Sequence, residues 1–254
     1  MSQRNGVALL VGAGDAIDAA VARRFAVGGY KACVARRDAA KSDGLIEELR
    51  AKGCEVHAFS VDARQEADVQ NLFARIEDTI GPIEVCLFNA GSNVRKPLLE
   101  TTGTLFLKAW ELACFAGFLV GREAACYMLK RGHGTILFTG ATASVRGSSG
   151  FSAFSSAKFG LRALAQMARE LGPKNIHVVH LLVDAGVDSA AIHQRMKAAS
   201  GHRGQRHPAR QPDQNQIHRR SLLVRASPGE GRLDARTGPA AVCGEMVACP
   251  SHRD

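Results

Sequence analysis

The chain of 254 residues has seven cysteines but no Cys-x-x-Cys pair, and most of the cysteines in its first half lie in apolar runs. The missing spacing excludes a disulfide framework and a zinc site of the finger type, and it favours reduced, buried thiols. Apolar stretches of the roughly 18 to 20 residues that a membrane helix needs are also absent, as is the pattern of a signal peptide. We therefore expect a soluble, cytoplasmic protein that does not bind membranes.

Neither the histidines nor the basic residues form a pattern that identifies a ligand. No metal site is expected, because the histidines are scattered among predicted strands and turns: His57, His133, His177 and His180. The formal net charge of +9 is concentrated late in the sequence, where residues 202–254 contain nine Arg and no Lys. A basic segment can bind nucleic acid. A shifted reading frame would also produce such a segment, with no nucleic-acid partner implied.

Apolar runs rich in β-branched residues alternate with stretches of helical periodicity, which is typical of βαβ units and a parallel sheet. The predicted strands are Val7 to Val11, Lys31 to Ala35, Glu55 to Val61, Val85 to Phe88, Thr135 to Phe138 and His177 to Val183. The predicted helices are Ala16 to Ala26, Lys41 to Ala51, Gln65 to Ile80, Leu105 to Lys130 and Ser152 to Leu171. The sequence therefore predicts an α/β fold with a Rossmann-type, doubly wound parallel sheet in three αβα layers.

This periodicity ends near Gly201. Residues 202–220 have no strand or helix period, and residues 226–245 are rich in turn-forming residues, which is typical of disorder. We therefore expect a dinucleotide-binding domain over residues 1–200 and an irregular, basic tail over residues 201–254.

A glycine turn follows the first predicted strand, with VGAGDAID at residues 11–18 leading into an amphipathic helix. The backbone N–H groups of such a turn and the N-terminus of the next helix can face the pyrophosphate of a dinucleotide. A plain connection between strand and helix has the same signature, and this alternative stays open. The dinucleotide interpretation assigns to the cofactor Gly12, Gly14, Asp15 and Ile17.

The second predicted strand ends in Arg36 and Arg37, about twenty residues after the glycine turn. An acidic residue at this place would bind the 2′-hydroxyl of NAD, whereas arginines pair with the 2′-phosphate of NADP. The pair favours NADP, although two solvated arginines in front of a helix would look the same.

Two further turns follow the third and fourth predicted strands, Asp62-Ala63 and Asn89-Ala90-Gly91. Together with the glycine turn and GTILF at residues 134–138, they make about 190 residues resemble the short-chain dehydrogenase/reductase family. The resemblance implies that Asp62 accepts a hydrogen bond from the adenine amine and that the Asn-Ala-Gly turn closes the cofactor pocket.

The glycine turn departs from the family's Thr-Gly-x-x-x-Gly-x-Gly pattern. Gly12 and Gly14 are kept, but Ala16 and Asp18 stand where the last two glycines belong. The methyl group of Ala16 is a small intrusion, whereas a carboxylate near a pyrophosphate costs electrostatic energy, which a helix N-terminus offsets in part.

Three of the family's four catalytic positions also differ. The Tyr-x-x-x-Lys pair falls on Phe154 and Lys158, the serine on Ala141 and the helical asparagine on Cys114. A phenylalanine cannot carry a proton, and a general acid or base typically contributes ~10² to 10⁴ in rate. Hydride transfer should therefore be very slow.

No tyrosine close in sequence can replace the missing one, because the only two are Tyr30 and Tyr127. A rescue could come from the hydroxyl of Thr142 or Ser144 in the neighbouring loop, or from water held by the lysine. The alternative is that both hydroxyls only satisfy the backbone of their loop.

The resemblance implies an NADP(H)-dependent oxidoreductase that acts, with impaired catalysis, on a small carbonyl or alcohol substrate. Lys158 would hold the nicotinamide ribose, and Val187 would contact the nicotinamide amide. The family also implies a homodimer or tetramer formed through the long helices that hold Cys114 and Phe154. The alternative is a non-catalytic NADP-binding or scaffold protein, which Ala141 and Phe154 favour.

The segment after Gly201 can be interpreted as the product of a shifted reading frame. With codons chosen freely and read one base downstream, residues 234–247 can encode THELDLRPCVEKW and a stop, and residues 202–212 can encode IEASDIPPDSL. These encoded sequences are typical of the lid and the last strand with which members of the family end. We hypothesise a one-base frameshift near Ser200, which the coding DNA can test, and under it the tail needs no nucleic-acid partner.

Overall fold

A single parallel sheet forms the centre of the computed structural model, which describes residues 5–12 and 17–183. Its strands are β1 (Val7–Val11), β2 (Lys31–Arg36), β3 (Val56–Ser60), β4 (Ile83–Phe88), β5 (Gly134–Ala141) and β6 (Ile176–Val183). Their order is β3-β2-β1-β4-β5-β6, and every neighbouring pair is parallel. The predicted doubly wound α/β fold and its six strands are confirmed. The predicted tail lies outside the described residues.

The helices follow the predicted positions, but the two longest are divided. They are α1 (Ile17–Val27), α2 (Asp43–Ala51), α3 (Glu66–Thr79), α4 (Gly103–Trp110), α5 (Ala116–Arg131), α6 (Ser152–Ala165) and α7 (Ala168–Leu171). A π-helical turn, Glu111–Phe115, joins α4 to α5. Helix α6 ends because the N–H groups of Gln166 and Met167 bond to carbonyls three residues back instead of four.

Alternate residues of β1 face two different helix layers. Val7, Leu9 and Val11 belong to one core cluster, and Ala8 and Leu10 belong to the other. Side chains of a strand alternate between the two faces of a sheet, so both faces of β1 are covered. The three-layer arrangement follows, and it leaves the carboxyl ends of the strands as the open edge.

The helical stretch Gly103–Arg131 corrects the expectation that no segment reaches membrane length. It has 29 residues and an apolar window of mean hydropathy 1.4, so by length and composition alone it could cross a membrane. The expectation was wrong because isolated charged residues such as Lys108 do not remove so long an apolar window. Leu119, Val120 and Met128 of this stretch are buried in the core against the sheet, as in a core helix.

Candidate functional site

A cleft of about 320 Å³ opens at the carboxyl ends of β1 to β4. The strand order reverses between β1 and β4, and ligands of doubly wound sheets bind at such a switch point. The cleft is lined by seven residues that the sequence singled out, Gly12, Arg36, Arg37, Asp62, Ala63, Ala90 and Gly91. Lys41 and Leu112 also line it, and neither was singled out from the sequence.

Gly12 ends β1 in a conformation that only glycine adopts without strain. Its φ is +100°, and a Cβ at this position would stand 2.4 Å from the backbone nitrogen of Ala90. The N–H of Gly12 donates to the carbonyl of Ala35 over 2.9 Å. Gly12 therefore packs directly against the turn that follows β4, and any side chain at residue 12 would push the two apart.

The carboxylate of Asp18 is buried in the first turn of α1, with the residue only 1% exposed. Its Oδ2 accepts a 2.7 Å hydrogen bond from the side-chain amide of Asn89, whose backbone N–H donates to the carbonyl of Val11. The sequence suggested that this carboxylate would oppose a pyrophosphate. The structure gives it a partner inside the protein, and it ties the start of α1 to the end of β4.

Basic side chains gather where β2 ends. Arg36 is half-buried and Arg37 is exposed, and both line the cleft. A 3₁₀ turn, Ala39–Ser42, brings Lys41 to the same wall, where its Nζ lies 3.6 Å from Oδ2 of Asp38. The sequence signal for Lys41 was its position one turn after the arginines, which becomes informative only once the 3₁₀ turn is known.

Asp62 has a partner that the sequence did not suggest. The guanidinium of Arg64 binds both carboxylate oxygens, with Nε 2.9 Å from Oδ1 and Nη2 2.5 Å from Oδ2. These hydrogen bonds from Arg64 hold the pKa of Asp62 below its ordinary value, and the charge of Arg37 adds to the effect. The carboxylate is therefore ionised and oriented. Oδ1 also accepts from the backbone N–H of Arg64 over 3.2 Å, so the lone pair left for a further donor is on Oδ2.

Lys158 is 5% exposed on α6, and its Nζ donates a 2.7 Å hydrogen bond to the carbonyl of Thr139. The same Nζ lies 3.3 Å from the point where a Cβ on Gly91 would stand, so the ammonium group borders the Asn-Ala-Gly turn. Burial lowers its pKa from 10.5 to about 8. The structure thus joins the lysine of α6 to the turn after β4, which are 67 positions apart by number.

The positions where the resemblance puts tyrosine, asparagine and serine carry a phenyl ring, a thiol and a methyl group. Phe154 is half-buried on α6, and its ring centroid lies 6.5 Å from that of Phe151. Cys114 lies in the π-helical turn, and burial raises the pKa of its thiol. Ala141 is the last residue of β5 and presents only a methyl group.

The hydroxyl of Ser144 is fully buried, and its Oγ accepts a 3.0 Å hydrogen bond from the N–H of Ala141. The backbone contact matches the alternative in which this hydroxyl satisfies its own loop. Neither tyrosine replaces the one missing at residue 154. Tyr30 packs edge-on against Phe25, and Tyr127 stacks on Phe73 of α3.

The predicted site residues also include some beyond the described ranges. Gly14, Asp15, Ala16 and Val187 lie outside the described residues, as do Cys243 and Cys249. The five cysteines of the described part are all free thiols, three of them buried. Residues 5–12 and 17–183 contain no cluster of His, Cys, Asp and Glu suited to a metal ion.

Comparison with known proteins gives matches over most of the chain. The sequence model of the family described as short chain dehydrogenase matches residues 6–198. The crystal structure of a short-chain dehydrogenase from Rhodopseudomonas palustris has 49% identity and a TM-score of 0.70, covering 77% of this chain and 91% of that one. A short-chain dehydrogenase/reductase of Armillaria gallica is 31% identical, over 68% of this chain and 67% of its own length. A metagenomic short-chain oxidoreductase in complex with NADP shares the fold, with a TM-score of 0.68 and 24% identity over 73% of this chain and 84% of that one.

Proposed function

Since this chain belongs to the short-chain dehydrogenase family of nicotinamide-dependent oxidoreductases, we propose that it uses NADP(H) to interconvert a small alcohol and its carbonyl compound. The observation that carries the choice of NADP is the group of three cations, Arg36, Arg37 and Lys41, on one wall of the cleft. A phosphate monoester pairs with such a group, whereas the ribose hydroxyl of NAD needs an acceptor. The family neighbour solved with NADP is in line with this choice.

The cleft also brings a ligand close to the main chain. Gly12 lines it without a side chain and packs directly against Ala90, so a phosphate group could approach the backbone there. The residues proposed to hold the cofactor are Gly12, Gly14, Asp15, Ile17, Arg36, Arg37, Asp62, Ala63, Asn89, Ala90, Gly91, Lys158 and Val187. When bound, the nicotinamide would supply or accept the hydride.

Lys158 is the residue proposed to act at the reacting end of the cleft. With a pKa of about 8 it is cationic at neutral pH, and it can hold a ribose hydroxyl beside Gly91. Phe154 and Ala141 offer no proton, so catalysis should be impaired relative to a family member with serine and tyrosine. The same two residues support the second candidate, a non-catalytic NADP-binding or scaffold protein.

Titration of the purified chain with NADPH and NADH, followed by turnover assays on small alcohols and ketones, tests the proposal. We expect NADPH to bind more tightly than NADH, and the difference to shrink at high salt, where ion pairs are screened. Oxidation of bound NADPH by a ketone would favour the enzyme, and binding without turnover would favour the non-catalytic candidate. Equal or undetectable binding of both nucleotides would contradict the NADP assignment.

We also propose that the chain forms a homodimer or tetramer through the long helices. Large apolar side chains are exposed along them: Phe106 and Leu107 of α4, Phe118 of α5 and Phe159 of α6. Side chains of this kind in one region usually mark a protein interface. A second copy of the chain, presenting the same helices, would cover them.

A further inference from the structure

His180 is a titratable residue of β6 that the proposed chemistry leaves unused. Its Nε2 atom is buried and has no hydrogen-bond partner within the described part of the chain. A buried polar atom without a partner carries a free-energy cost, so such an atom at the edge of a candidate site points to a role that the protein alone does not fill. In the sequence alone, His180 is an isolated histidine in an apolar predicted strand.

The imidazole of His180 and the hydroxyl of Ser144 share the space above Gly140. A Cβ on Gly140 would stand 2.3 Å from Nε2 of His180 and 3.0 Å from Oγ of Ser144. Both groups approach the same point, although no hydrogen bond joins them in this structure, and any side chain on Gly140 would displace the ring. The hollow over this glycine therefore brings an imidazole and a hydroxyl together.

The pair of Ser144 and His180 lies beside the strand residues that contact Lys158 and Ser144. Gly140 stands between Thr139, whose carbonyl accepts from Lys158, and Ala141, whose N–H donates to Ser144. A hydroxyl can donate one hydrogen bond and accept two. With one lone pair used by Ala141, Ser144 keeps its proton for the imidazole and a second lone pair for a donor from the site.

The groups that face His180 set its protonation state. β5 contributes Phe138, its register partner, and Gly140, and a second 3₁₀ turn, Thr142–Ser144, contributes Ser144; none of the three is charged. α6 contributes the positive charges of Arg162 and Lys158. Burial first, and then these two charges, lower the pKa of His180 below its ordinary 6.5. At neutral pH the ring is therefore uncharged and able to accept a proton.

We propose that Ser144 and His180 are a proton relay that takes the part of the missing tyrosine, an inference that rests on the proposed NADP(H)-dependent function. In alcohol oxidation the substrate's O–H bond breaks, and its proton passes through a water beside Ala141 to Ser144. Ser144 gives its own proton to Nε2 of His180. The carbon that bears this oxygen gives its hydride to NADP⁺, the oxidant, and a carbonyl compound remains. In the reverse direction the imidazolium returns the proton.

The first test reads the pair without any turnover. Histidine side chains of the full-length chain are labelled with ¹⁵N and titrated by NMR, in the wild type and in Ser144→Ala. We expect His180 to be neutral at pH 7 with its proton on Nδ1, and Ser144→Ala to shift its Nε2 resonance and its titration midpoint. His177→Gln, on the same strand but exposed, should change neither. A proton on Nε2 at pH 7, or no response to Ser144→Ala, would overturn the relay.

The second test compares His180→Gln in two backgrounds. In the wild type we expect turnover to fall by ~10² or more, the usual contribution of an acid–base group, with NADPH affinity unchanged. In Ala141→Ser/Phe154→Tyr, which restores the family's own proton donor, His180→Gln should lower turnover by less than about threefold. A purely structural role of His180 would reduce both backgrounds alike.

The outcomes separate the relay from the proposed function. Absence of NADP(H) binding in the wild type would contradict the proposed function, and the NMR titration would still decide whether the two side chains are coupled. Normal binding with equal turnover in wild type and His180→Gln would overturn the relay alone. Turnover that appears only after Ala141→Ser/Phe154→Tyr would also overturn the relay and leave cofactor binding intact.

Discussion

The amide of Asn89 donates a 2.7 Å hydrogen bond to the buried carboxylate of Asp18, which stands where the family has its third glycine. Asp18→Asn should lower the free energy of unfolding by about 1 to 3 kcal/mol, because a charged acceptor is lost from a buried pair. NADPH affinity should rise several-fold, since a negative charge near the phosphate site is removed. Urea unfolding and fluorescence titration measure the two effects. Weaker NADPH binding by a stably folded Asp18→Asn would contradict this account of the charge.

Arg37→Glu tests the phosphate site at the end of β2. We expect NADPH affinity to fall by about 10- to 100-fold, the loss that removal of a charge-assisted hydrogen bond of about 1.5 to 3 kcal/mol produces. NADH affinity should change far less, because NADH lacks the 2′-phosphate. The matched control is Arg24→Glu, because Arg24 lies in the last turn of α1, at the opposite end of this helix from the glycine turn. Equal losses for both nucleotides would show that Arg37 does not bind the phosphate.

Burial of Lys158 predicts a pH dependence of stability. Its pKa is lowered from 10.5 to about 8 in the folded state, so between these values the unfolded chain binds more protons than the folded one. The stability of the wild type relative to Lys158→Met should therefore increase as pH rises from about 8 to 10.5, by at most about 3 kcal/mol. Thermal or urea unfolding of both proteins across this range measures the difference. A difference that stays flat, or decreases, would contradict a lowered pKa.

Ala141→Ser/Phe154→Tyr restores the two family residues beside Lys158. If the pocket is otherwise intact, kcat should rise by ~10² to 10⁴, because a general acid–base group is returned within one helical turn of the lysine. Steady-state oxidation of NADPH with a panel of small ketones measures the gain, and NADPH affinity should stay constant. Phe151→Tyr, one turn earlier on the same wall, controls for the addition of a hydroxyl alone. No gain would show that more than these two groups is missing.

Exposed apolar residues on the long helices predict self-association. Phe118→Glu combined with Phe159→Glu should convert a dimer or tetramer to a smaller species, because charges would enter an apolar interface. Light scattering after size-exclusion chromatography measures the mass. Val27→Glu, an exposed apolar position on α1, should leave the mass unchanged. A wild-type chain that is monomeric at micromolar concentration would contradict the expectation.

The sequence was most informative where a pattern is local. The glycine after β1, the alternation of apolar runs with stretches of helical periodicity, and the Asn-Ala-Gly turn predicted the strands and the edge of the sheet that carries the cleft. Leu112 was not predicted, because it enters the cleft from the π-helical turn, and an extra residue in one helical turn leaves no sequence period. Arg64 was not predicted either, because a pairing two positions apart depends on the backbone of a loop.

By itself the sequence determined that the chain folds as a doubly wound sheet, and that Ala141, Cys114 and Phe154 stand where the resemblance puts serine, asparagine and tyrosine, since both follow from residue identity and short-range periodicity. Only the tertiary structure decided which distant groups meet. The contacts of Asp18 with Asn89 and of His180 with the hollow over Gly140 join separate strands and helices. Such contacts depend on how parallel strands align at their carboxyl ends, and this alignment is set by packing of the whole sheet rather than by any one segment.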